Sequence, residues 1–468
     1  MIQALDCSSD QLTDALAALA PRAVECAMAD FTSVARGKLV ATDDLIAATG
    51  CKLPTVLLGM GVTGCAPADA FGTLLPAGYG DMALVPDVST LVPRPGRPGE
   101  VTVLCEPRGS WLAPRYGRQL CASELSPRAA LRSLVDAFAR QGLQARVAPE
   151  LELFLLQRTA QGGAEQIDSA RARPGAPARE SACEQYSLER AAHFEPYFDE
   201  LYAACALQRI PLAGHLHEAA FTQFEVNFHP GAPLAQADAV FRFKRLAREI
   251  ASRHGFLASF AAKPFLDQPG CGMHWHFSLQ RTGAGDGWPH VFATPDGAST
   301  PALGHFLAGL QAHVPAAMAL LAPYDLSFDR IRLSDSSPTH ADWADDDRHV
   351  AFRVPASDAR GRRVENRLPG GDVNPYLAVA LTLGLGLLGL QAGQGPQSGR
   401  SEAQRLPRSL PEALARLADP AASAGVRQVL GDPLVDLFIA IKQQEHAERQ
   451  ALADPRAQWD LRHLIELA

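Results

Sequence analysis

The sequence has few of the features that mark secreted or nucleic-acid-binding proteins. Its nine cysteines are scattered without a Cys-x-x-Cys pair, which argues against a disulfide framework or a thiolate zinc site and favours free thiols in the cytoplasm. The net charge is −8 and no long basic block is present, so nucleic acid is not an expected partner. The N-terminus lacks a basic region before an apolar one, so no secretory signal is expected.

One apolar segment is similar in composition to a membrane anchor but is too short. "LAVALTLGLGLLGL" at 377–390 falls below the length of a membrane span and is typical of a buried helix. Asn374 is placed to cap this helix, and Pro375 falls at its first position. We therefore expect a core helix and no membrane partner.

What is present is typical of a globular protein, with 47% hydrophobic and 20% charged residues. A chain of 468 residues usually splits into more than one domain. Residues 10–30 predict an amphipathic helix, and short apolar runs between about 31 and 110 predict a small domain with several strands. Ser126 and Gly142 bound a helix that begins the second domain. Further helices are predicted at 186–210, 233–255, 301–322 and, broken by prolines, at 409–468, with an exposed insertion at 157–185.

Four stretches place polar residues two apart among apolar neighbours, which on a β-strand puts them on one face. They are "APELELFLL" with Glu150 and Glu152, "FTQFEVNFHP" with Gln223, Glu225 and Asn227, "GCGMHWHFSL" with His274 and His276, and "RVENRLPGG" with Glu365 and Arg367. One such strand alone is most often half exposed, with a wet face. Partly buried carboxylates are costly unless paired or metal-bound, so four such strands favour a shared polar site.

The residue types in these stretches indicate a class of metal. Five glutamates, with Glu218 seven residues before Glu225, and a histidine without thiolates suit Mg²⁺ or Mn²⁺. Six ligands suit two ions with three ligands each, because one catalytic ion needs open positions. Each nearby arginine alone would more often form a surface salt bridge, but several cluster between 330 and 367. Two ions with arginines are the equipment of phosphoryl transfer.

Taken in order, these motifs resemble the glutamine synthetase family. The quoted strands are joined by "HEAAFTQFEVNF", "AKPFLDQPG", "GGDVNPYLAVA", "FTSVARGKL" and "GYGDMALVPDVSTL", so the resemblance spans roughly residues 10–465. It implies an α+β fold. A small N-terminal β-grasp-like domain, residues 1–115, would precede a large catalytic domain, residues 120–468, with a curved antiparallel sheet and surrounding helices.

The resemblance also implies roles at matching positions. One ion would be held by Glu152, Glu218 and Glu225, and the second by Glu150, His274 and Glu365. ATP would contact His276, Ser278, Arg348 and Arg353, and glutamate would contact Gly270, Arg330 and Arg367. Arg330, Arg348 and Asp335 would be the catalytic residues. The implied reaction activates the γ-carboxylate of glutamate as an acyl phosphate, which an amine then converts to an amide. The family also implies a ring-based homo-oligomer, a dodecamer, with active sites at subunit interfaces.

Two departures from the family's ammonia-using members bear on the amine. Ser336 stands where those enzymes carry a flap glutamate, and "LLGMGVTG" at 57–64 has no acid where they carry an aspartate that helps bind ammonium. Fewer carboxylates around the cation favour a larger amine, as in the γ-glutamylpolyamine and γ-glutamyl-amine synthetases. The acidic run at 345–347 could attract a cationic amine at the entrance.

Three other interpretations each account for part of the sequence. Asp335 could replace the lost flap glutamate, which leaves an ammonia-using glutamine synthetase as the alternative. A zinc amidohydrolase built on His274 and His276 would need more histidines and an aspartate. A ring-forming relative without activity would have lost metal ligands, and the six ligand positions are all filled here.

Overall fold

The structure is a computed structural model that describes residues 5–160, 162–167, 185–283, 287–334 and 337–467. Most of the predicted insertion at 157–185 lies outside these residues, and so do Asp335 and Ser336. The fold is built on two main sheets that follow each other in the sequence, with helices packed around the second.

The first sheet contains a mixture of parallel and antiparallel pairs. Its strands are β1 (Ala23–Ala29), β2 (Ala35–Ala41), β3 (Cys51–Pro54), β4 (Asp81–Pro86), β5 (Val92–Pro93) and β6 (Glu100–Arg108). The order is β2-β1-β6-β4-β3, with β5 also paired to β6. β1 runs parallel to β6, and the other pairs are antiparallel. A separate hairpin of β7 (Ser110–Ala113) and β8 (Arg118–Cys121) follows.

The single helix predicted over residues 10–30 is wrong in its second half. Helix α1 (Ser9–Ala17) is capped by Ser8 and ends before Pro21, and β1 follows. Proline removes a backbone donor and disfavours a helical residue before it. β1 lies between β2 and β6 and is buried along nearly its whole length. A strand that is buried on both faces loses the apolar–polar alternation that would identify it in the sequence.

The second sheet carries the predicted polar strands. Its strands are β9 (Leu143–Arg158), β10 (Ala164–Gln166), β11 (Leu212–His217), β12 (Gln223–Phe228), β13 (Leu257–Ser259), β14 (Met273–Arg281), β15 (Trp343–Asp345), β16 (Phe352–Val354) and β17 (Val364–Asn366). The order is β11-β12-β9-β14-β17-β16-β15, and β10 and β13 also pair with β9. Every pair is antiparallel except β15 with β16.

Most helices belong to the second part of the chain. After α1 they are α2 (Thr42–Ala48), α3 (Pro127–Arg140), α4 (Leu188–Ala192), α5 (Glu195–Leu207), α6 (Pro233–Arg253), α7 (Pro301–Leu321), α8 (Asp325–Leu333), α9 (Pro375–Ala392), α10 (Leu410–Ala418), α11 (Ala424–Leu430) and α12 (Asp432–Gln450). A π-helical segment, Arg456–Ile465, follows α12. Single 3₁₀ turns lie at Thr55–Gly59, Ala68–Ala70, Val88–Thr90, Ala122–Leu125 and Glu402–Gln404.

Helix α9 is the predicted core helix. The Asn374 side chain accepts hydrogen bonds from the first backbone amides of α9, as the N-cap prediction required. Although α9 is long and apolar enough to cross a membrane, 78% of it is buried inside the protein. It packs closely on α7, where a Cβ added to Gly389 would lie 2.1 Å from the carbonyl oxygen of His305. Glycine is therefore needed at this crossing, and α9 is part of the hydrophobic core.

A buried ion-pair network connects the first sheet to the second part of the chain. Arg128 at the start of α3 donates to Glu106 on β6 and to Asp238 on α6, at 2.9 Å in each case. All three side chains are almost completely buried, so losing one partner would leave an uncompensated charge in the interior. The division into domains at 1–115 and 120–468 stays a prediction. The ion-pair network joins residues from both sides of that predicted boundary.

Candidate active site

Polar side chains of four strands lie on one face of the second sheet. The ladder pairs Glu225 with Glu152, Glu150 with His274, and His276 with Glu365. Residues that are directly opposite on neighbouring strands share a face, so these pairs form one continuous polar surface. The alternate residues, such as Leu151 and Trp275, are completely buried on the other face. The apolar face fixes the strand register and thereby the position of every polar residue.

The polar surface contains two groups of three potential metal ligands. One group is Glu152, Glu218 and Glu225, and the other is Glu150, His274 and Glu365. Within each group the ligand atoms lie within 4.8 Å of one another. Carboxylates and a neutral imidazole are ligands that suit Mg²⁺ or Mn²⁺. The structure thus brings the six predicted ligands together and divides them as the resemblance implies.

The first ligand group is electrostatically crowded. Burial raises the pKa of Glu152 to about 7, and the negative charge of Glu218 acts in the same direction. Burial, followed by the charge of Glu150, raises the pKa of Glu225 to about 8. Carboxylates that repel each other in this way gain strongly from a divalent cation. The donor set therefore fits a metal ion.

Two histidines determine the electrostatics of the second group. Burial alone would raise the pKa of Glu150, but the interactions with His274 and His276 outweigh burial and lower that pKa. The His276 Nε2 to Glu150 Oε1 distance is 2.8 Å. Burial lowers the pKa of His274 to about 4, and the charge of Arg367 adds to this effect. His274 is therefore neutral near pH 7, as a metal ligand must be.

Neighbouring polar groups hold the carboxylates of the first ligand group in place. Glu152 accepts hydrogen bonds from the Gly272 amide at 2.9 Å and from the Gln223 side chain at 3.2 Å. The Ala219 amide donates to Glu218 at 2.9 Å, and Asn227 donates to Glu225 at the same distance. Such partners fix the orientation of ligating side chains and are as much a part of a metal site as the ligands. The sequence pattern does not identify them as partners.

Glu365 is completely buried between two arginines. Arg353 donates to its Oε2 at 3.0 Å, and Arg367 donates to its Oε1. Burial would raise the pKa of Glu365, but the charge of His274 in its protonated form and the permanent charge of Arg367 lower it. The carboxylate is therefore ionised at neutral pH and connects both arginines to the second ligand group.

One arginine at the site was missed by the sequence interpretation. The Nε of Arg363 lies 3.1 Å from Nδ1 of His276, whose other nitrogen contacts Glu150. A signal for it exists in "RVENR", because Arg363 precedes Glu365 by two residues in an extended segment. Arg367 has the same spacing on the other side of Glu365, so all three side chains are expected on one face of an extended segment.

A cavity of about 520 Å³ opens at this polar surface. The predicted substrate-binding residues Gly270, Arg330 and Arg367 line it, together with Arg348 from the predicted nucleotide side. A Cβ on Gly270 would lie 2.5 Å from the Ala262 carbonyl oxygen, so the loop requires glycine there. Arg330 donates to the Leu368 carbonyl oxygen at 3.0 Å.

Three of the four predicted nucleotide-side residues do not line that cavity. His276, Ser278 and Arg353 lie further along β14 and β16. In the acidic run at 345–347, Asp346 accepts a hydrogen bond from Arg353, and Asp347 lies 3.0 Å from Nδ1 of His349. These two acids are therefore engaged locally rather than free to attract an amine. The predicted catalytic Asp335 lies outside the described residues.

Comparisons with known proteins agree with this geometry. A family sequence model described as "Glutamine synthetase, catalytic domain" matches residues 124–462. Gamma-glutamylputrescine synthetase PuuA of Escherichia coli (strain K12) is 32% identical over 359 residues, which cover 76% of this chain and 73% of that protein. Glutamate–isopropylamine ligase of a Pseudomonas species is 31% identical over 368 residues, covering 77% and 76%. Glutamine synthetase of Thermococcus kodakarensis (strain ATCC BAA-918 / JCM 12380 / KOD1) is 30% identical over 339 residues, covering 69% and 71%.

A solved structure shows the same architecture over nearly the whole chain. The "GmaS/ADP complex-Conformation 1" structure gives a TM-score of 0.75 at 25% identity, and the match covers 96% of this chain and 98% of that one. The fold and the carboxylate-rich surface thus define a class of ligases. The chain belongs to the glutamine synthetase family. The predictions of that family, of its fold and of a ligase are confirmed.

Proposed function

We propose that this enzyme joins the γ-carboxylate of glutamate to an amine larger than ammonia, using ATP. The observation that carries the proposal is the pair of three-ligand groups beside an arginine-lined cavity. Two divalent ions and several guanidinium groups are suited to the negative charge of a nucleotide and of a transferring phosphoryl group. The relatives whose names contain putrescine and isopropylamine support an amine as the substrate that is joined to glutamate.

The six ligands would hold two Mg²⁺ or Mn²⁺ ions. Three carboxylates in one group and two carboxylates with a neutral imidazole in the other leave positions on each ion for substrate oxygens. When bound, such ions neutralise phosphate charge and polarise phosphoryl oxygens. We therefore propose two ions, each either Mg²⁺ or Mn²⁺.

The arginines divide between the two anionic substrates. We assign Arg330 and Arg367, which line the cavity with Gly270, to the glutamate carboxylate. The ATP side is assigned to His276, Ser278, Arg348 and Arg353, and Arg363 joins it through its contact with His276. Arg348 lines the cavity and is exposed, so its guanidinium is free to approach a phosphate between the two substrates. Arg330 and Arg348 are the proposed catalytic arginines.

The proposed reaction has two steps. An oxygen of the glutamate γ-carboxylate attacks the γ-phosphorus of ATP, the bond to the bridging oxygen breaks, and ADP leaves. The amine nitrogen then attacks the γ-carbonyl carbon, loses a proton, and inorganic phosphate leaves. Phosphorylation turns a poor leaving oxygen into a good one, and fixed positive groups stabilise the charge that develops.

A larger amine is proposed because the sequence lacks two carboxylates expected around ammonium. Ser336 replaces the flap glutamate, and the segment 57–64 contains no acid. A primary alkylamine has a pKa near 10.4, as lysine has, so it must lose a proton before it attacks. Asp335 is the proposed base.

Glutamine synthetase activity with ammonium is the second candidate, favoured by the relatives of that name. The deciding experiment measures ADP and phosphate release with glutamate and either ammonium or a panel of amines that includes putrescine and isopropylamine. We expect faster turnover with at least one amine than with ammonium. The proposal is rejected if ammonium gives the fastest turnover, and the ligase assignment itself is rejected if no acceptor stimulates release.

We further propose a cytoplasmic, ring-based homo-oligomer, a dodecamer. The location is supported by the cysteines of the described residues, which are all free thiols. Size-exclusion chromatography with light scattering should give a mass of twelve 50.0-kDa chains. A monomer or dimer at micromolar concentration would contradict the oligomer.

A further inference from the structure

A single arginine from the C-terminal segment contacts both sides of the candidate glutamate pocket. The Nη2 of Arg456 donates to the carbonyl oxygens of Lys263 and Pro264, at 3.2 and 3.1 Å. Its Nη1 lies 3.3 Å from Asp329 on α8. One guanidinium thus joins three groups from two segments that are distant in sequence. Arginine is suited to this because its donors form a rigid, planar fork.

The first of these segments is the loop at 262–271, which ends at Gly270 and Cys271. The Cys271 amide donates to the Ala262 carbonyl oxygen at 2.9 Å and joins the two ends of the loop. The Lys263 ammonium donates to the Gln268 carbonyl oxygen across the loop. The loop is therefore a compact unit, and Arg456 holds it at its base.

The second segment is α8, which carries Arg330 directly after Asp329. A Cβ on Gly270 would lie 2.9 Å from Cγ of Arg330, so loop and helix are in close contact across the pocket. A change in the distance between them would alter the space available to a bound carboxylate. Arg456 contacts both segments without lining the cavity itself.

Arg456 is held on a rigid base. Two residues of the same π-helical segment, Trp459 and Leu464, are buried in an apolar cluster with Phe154 of β9. Arg449 on α12 donates to both oxygens of Asp460, at 2.7 and 2.8 Å. These contacts restrict the position of the segment, so the guanidinium of Arg456 is presented from a fixed position.

We propose that Arg456 is a positioning residue that sets the glutamate pocket by clamping the loop at 262–271 to helix α8. The residue acts through the loop and through Arg330 rather than on substrate. This inference rests on the proposed function only for the identity of the ligand, since the clamp itself is a property of the contacts.

The test compares Arg456→Ala with Arg456→Lys and with Arg462→Ala. Arg462 is exposed in the same segment, and its loss removes a charge without touching the loop or α8. In Arg456→Ala, hydrogen exchange at the Cys271 amide should accelerate roughly tenfold or more, because the loop opens more readily. The KM for glutamate should rise roughly tenfold while the KM for ATP changes less than about twofold.

Arg456→Lys should recover part of both effects, since an ammonium can reach some but not all of the three acceptors. Unchanged exchange in the loop of Arg456→Ala overturns the clamp. Equal increases in both KM values would also overturn it, because they indicate general loosening. If Arg456→Ala does not fold, Asp329→Asn removes one arm of the clamp, and the same selective rise in KM for glutamate is expected at smaller size. If the unmodified enzyme shows no glutamate-dependent turnover, the proposed function is rejected. Hydrogen exchange at the Cys271 amide would still decide whether Arg456 clamps the loop to α8.

Discussion

Replacing Glu225 by glutamine should make the metal-free protein more stable and weaken its response to Mg²⁺. Glu225 shares a ligand group with Glu152 and Glu218, and burial together with neighbouring carboxylates raises its pKa to about 8. In an unfolded chain a glutamate has a pKa of about 4.3. The folded, metal-free protein therefore holds this carboxyl group in an unfavourable environment.

The size of the effect follows from linkage between protonation and folding. A carboxyl pKa that is raised in the folded state costs stability above the unfolded pKa, and the cost grows with pH until the folded pKa is reached. At pH 7 the solution is about 2.7 pH units above the pKa of the unfolded glutamate and still below the pKa of the folded one. At about 1.36 kcal/mol per unit, the raised pKa of Glu225 lowers the free energy of unfolding by roughly 3 to 4 kcal/mol. Glutamine has no charge and still accepts the hydrogen bond that Asn227 donates at 2.9 Å. The protonation of Glu152 and Glu218 is coupled to that of Glu225, so the effect of the substitution is not the full cost. We expect a gain of about 1–3 kcal/mol in the free energy of unfolding.

The assay is urea unfolding at pH 7 and constant protein concentration, first with EDTA and then with increasing Mg²⁺. Glu225→Gln should have the higher midpoint in EDTA, and Mg²⁺ should raise the midpoint of the unmodified protein more than that of the variant. Glu189→Gln is the matched control, since Glu189 is exposed on α4. This variant should change neither the midpoint in EDTA nor the increase in midpoint with Mg²⁺. A variant that is less stable in EDTA, or that gains as much from Mg²⁺ as the unmodified protein, would refute the reasoning.

Three further results are expected. Arg353→Ala should lower the rate of ATP-dependent ligation by roughly 10²–10³ with unchanged circular dichroism, because one charge-stabilising donor is lost; unchanged kinetics would remove Arg353 from the ATP side. Arg363→Ala should raise the KM for ATP and leave the KM for glutamate unchanged in steady-state assays, since its contact is with His276; a larger rise for glutamate would contradict the assignment. Ser336→Glu should increase the rate with ammonium relative to the preferred amine, because the resemblance implies a flap glutamate at this position in the ammonia-using enzymes; an unchanged ratio would argue against that implied role.

The polar surface could be predicted largely because its strands follow simple rules. Alternation with period two identifies Glu150 and Glu152 as residues on one face, and the apolar neighbours require that face to belong to a packed sheet. Alternation does not say which strands are adjacent. That Glu225 lies opposite Glu152 depends on the strand order β12-β9-β14, and only the resemblance to a family supplied the division into two ligand groups.

Other features could not be predicted because they depend on contacts between distant segments. The amide of Gly272 and the side chain of Gln223 orient Glu152, and neither residue type is unusual in its own stretch. The strand at 23–29 lacks an apolar–polar alternation because it is buried on both faces, and burial on both faces is a tertiary property that a local pattern does not reveal. Arg456 reaches Lys263 across 193 positions, and no local pattern marks such a contact.

Glu365 shows why the proposed substrate-binding and metal-binding roles of this surface cannot be assigned to separate residues. Its two oxygens accept hydrogen bonds from Arg353 and Arg367, while its Oε1 lies 3.8 Å from Nδ1 of His274 in the second ligand group. Removing either arginine therefore leaves more negative charge on a proposed metal ligand at the same time as it removes a proposed substrate contact. The two effects act in opposite directions on binding, since a freer carboxylate favours the cation while the lost guanidinium disfavours the anion. A single substitution reports only their sum, and a double-mutant cycle with Glu365→Gln is needed to separate them.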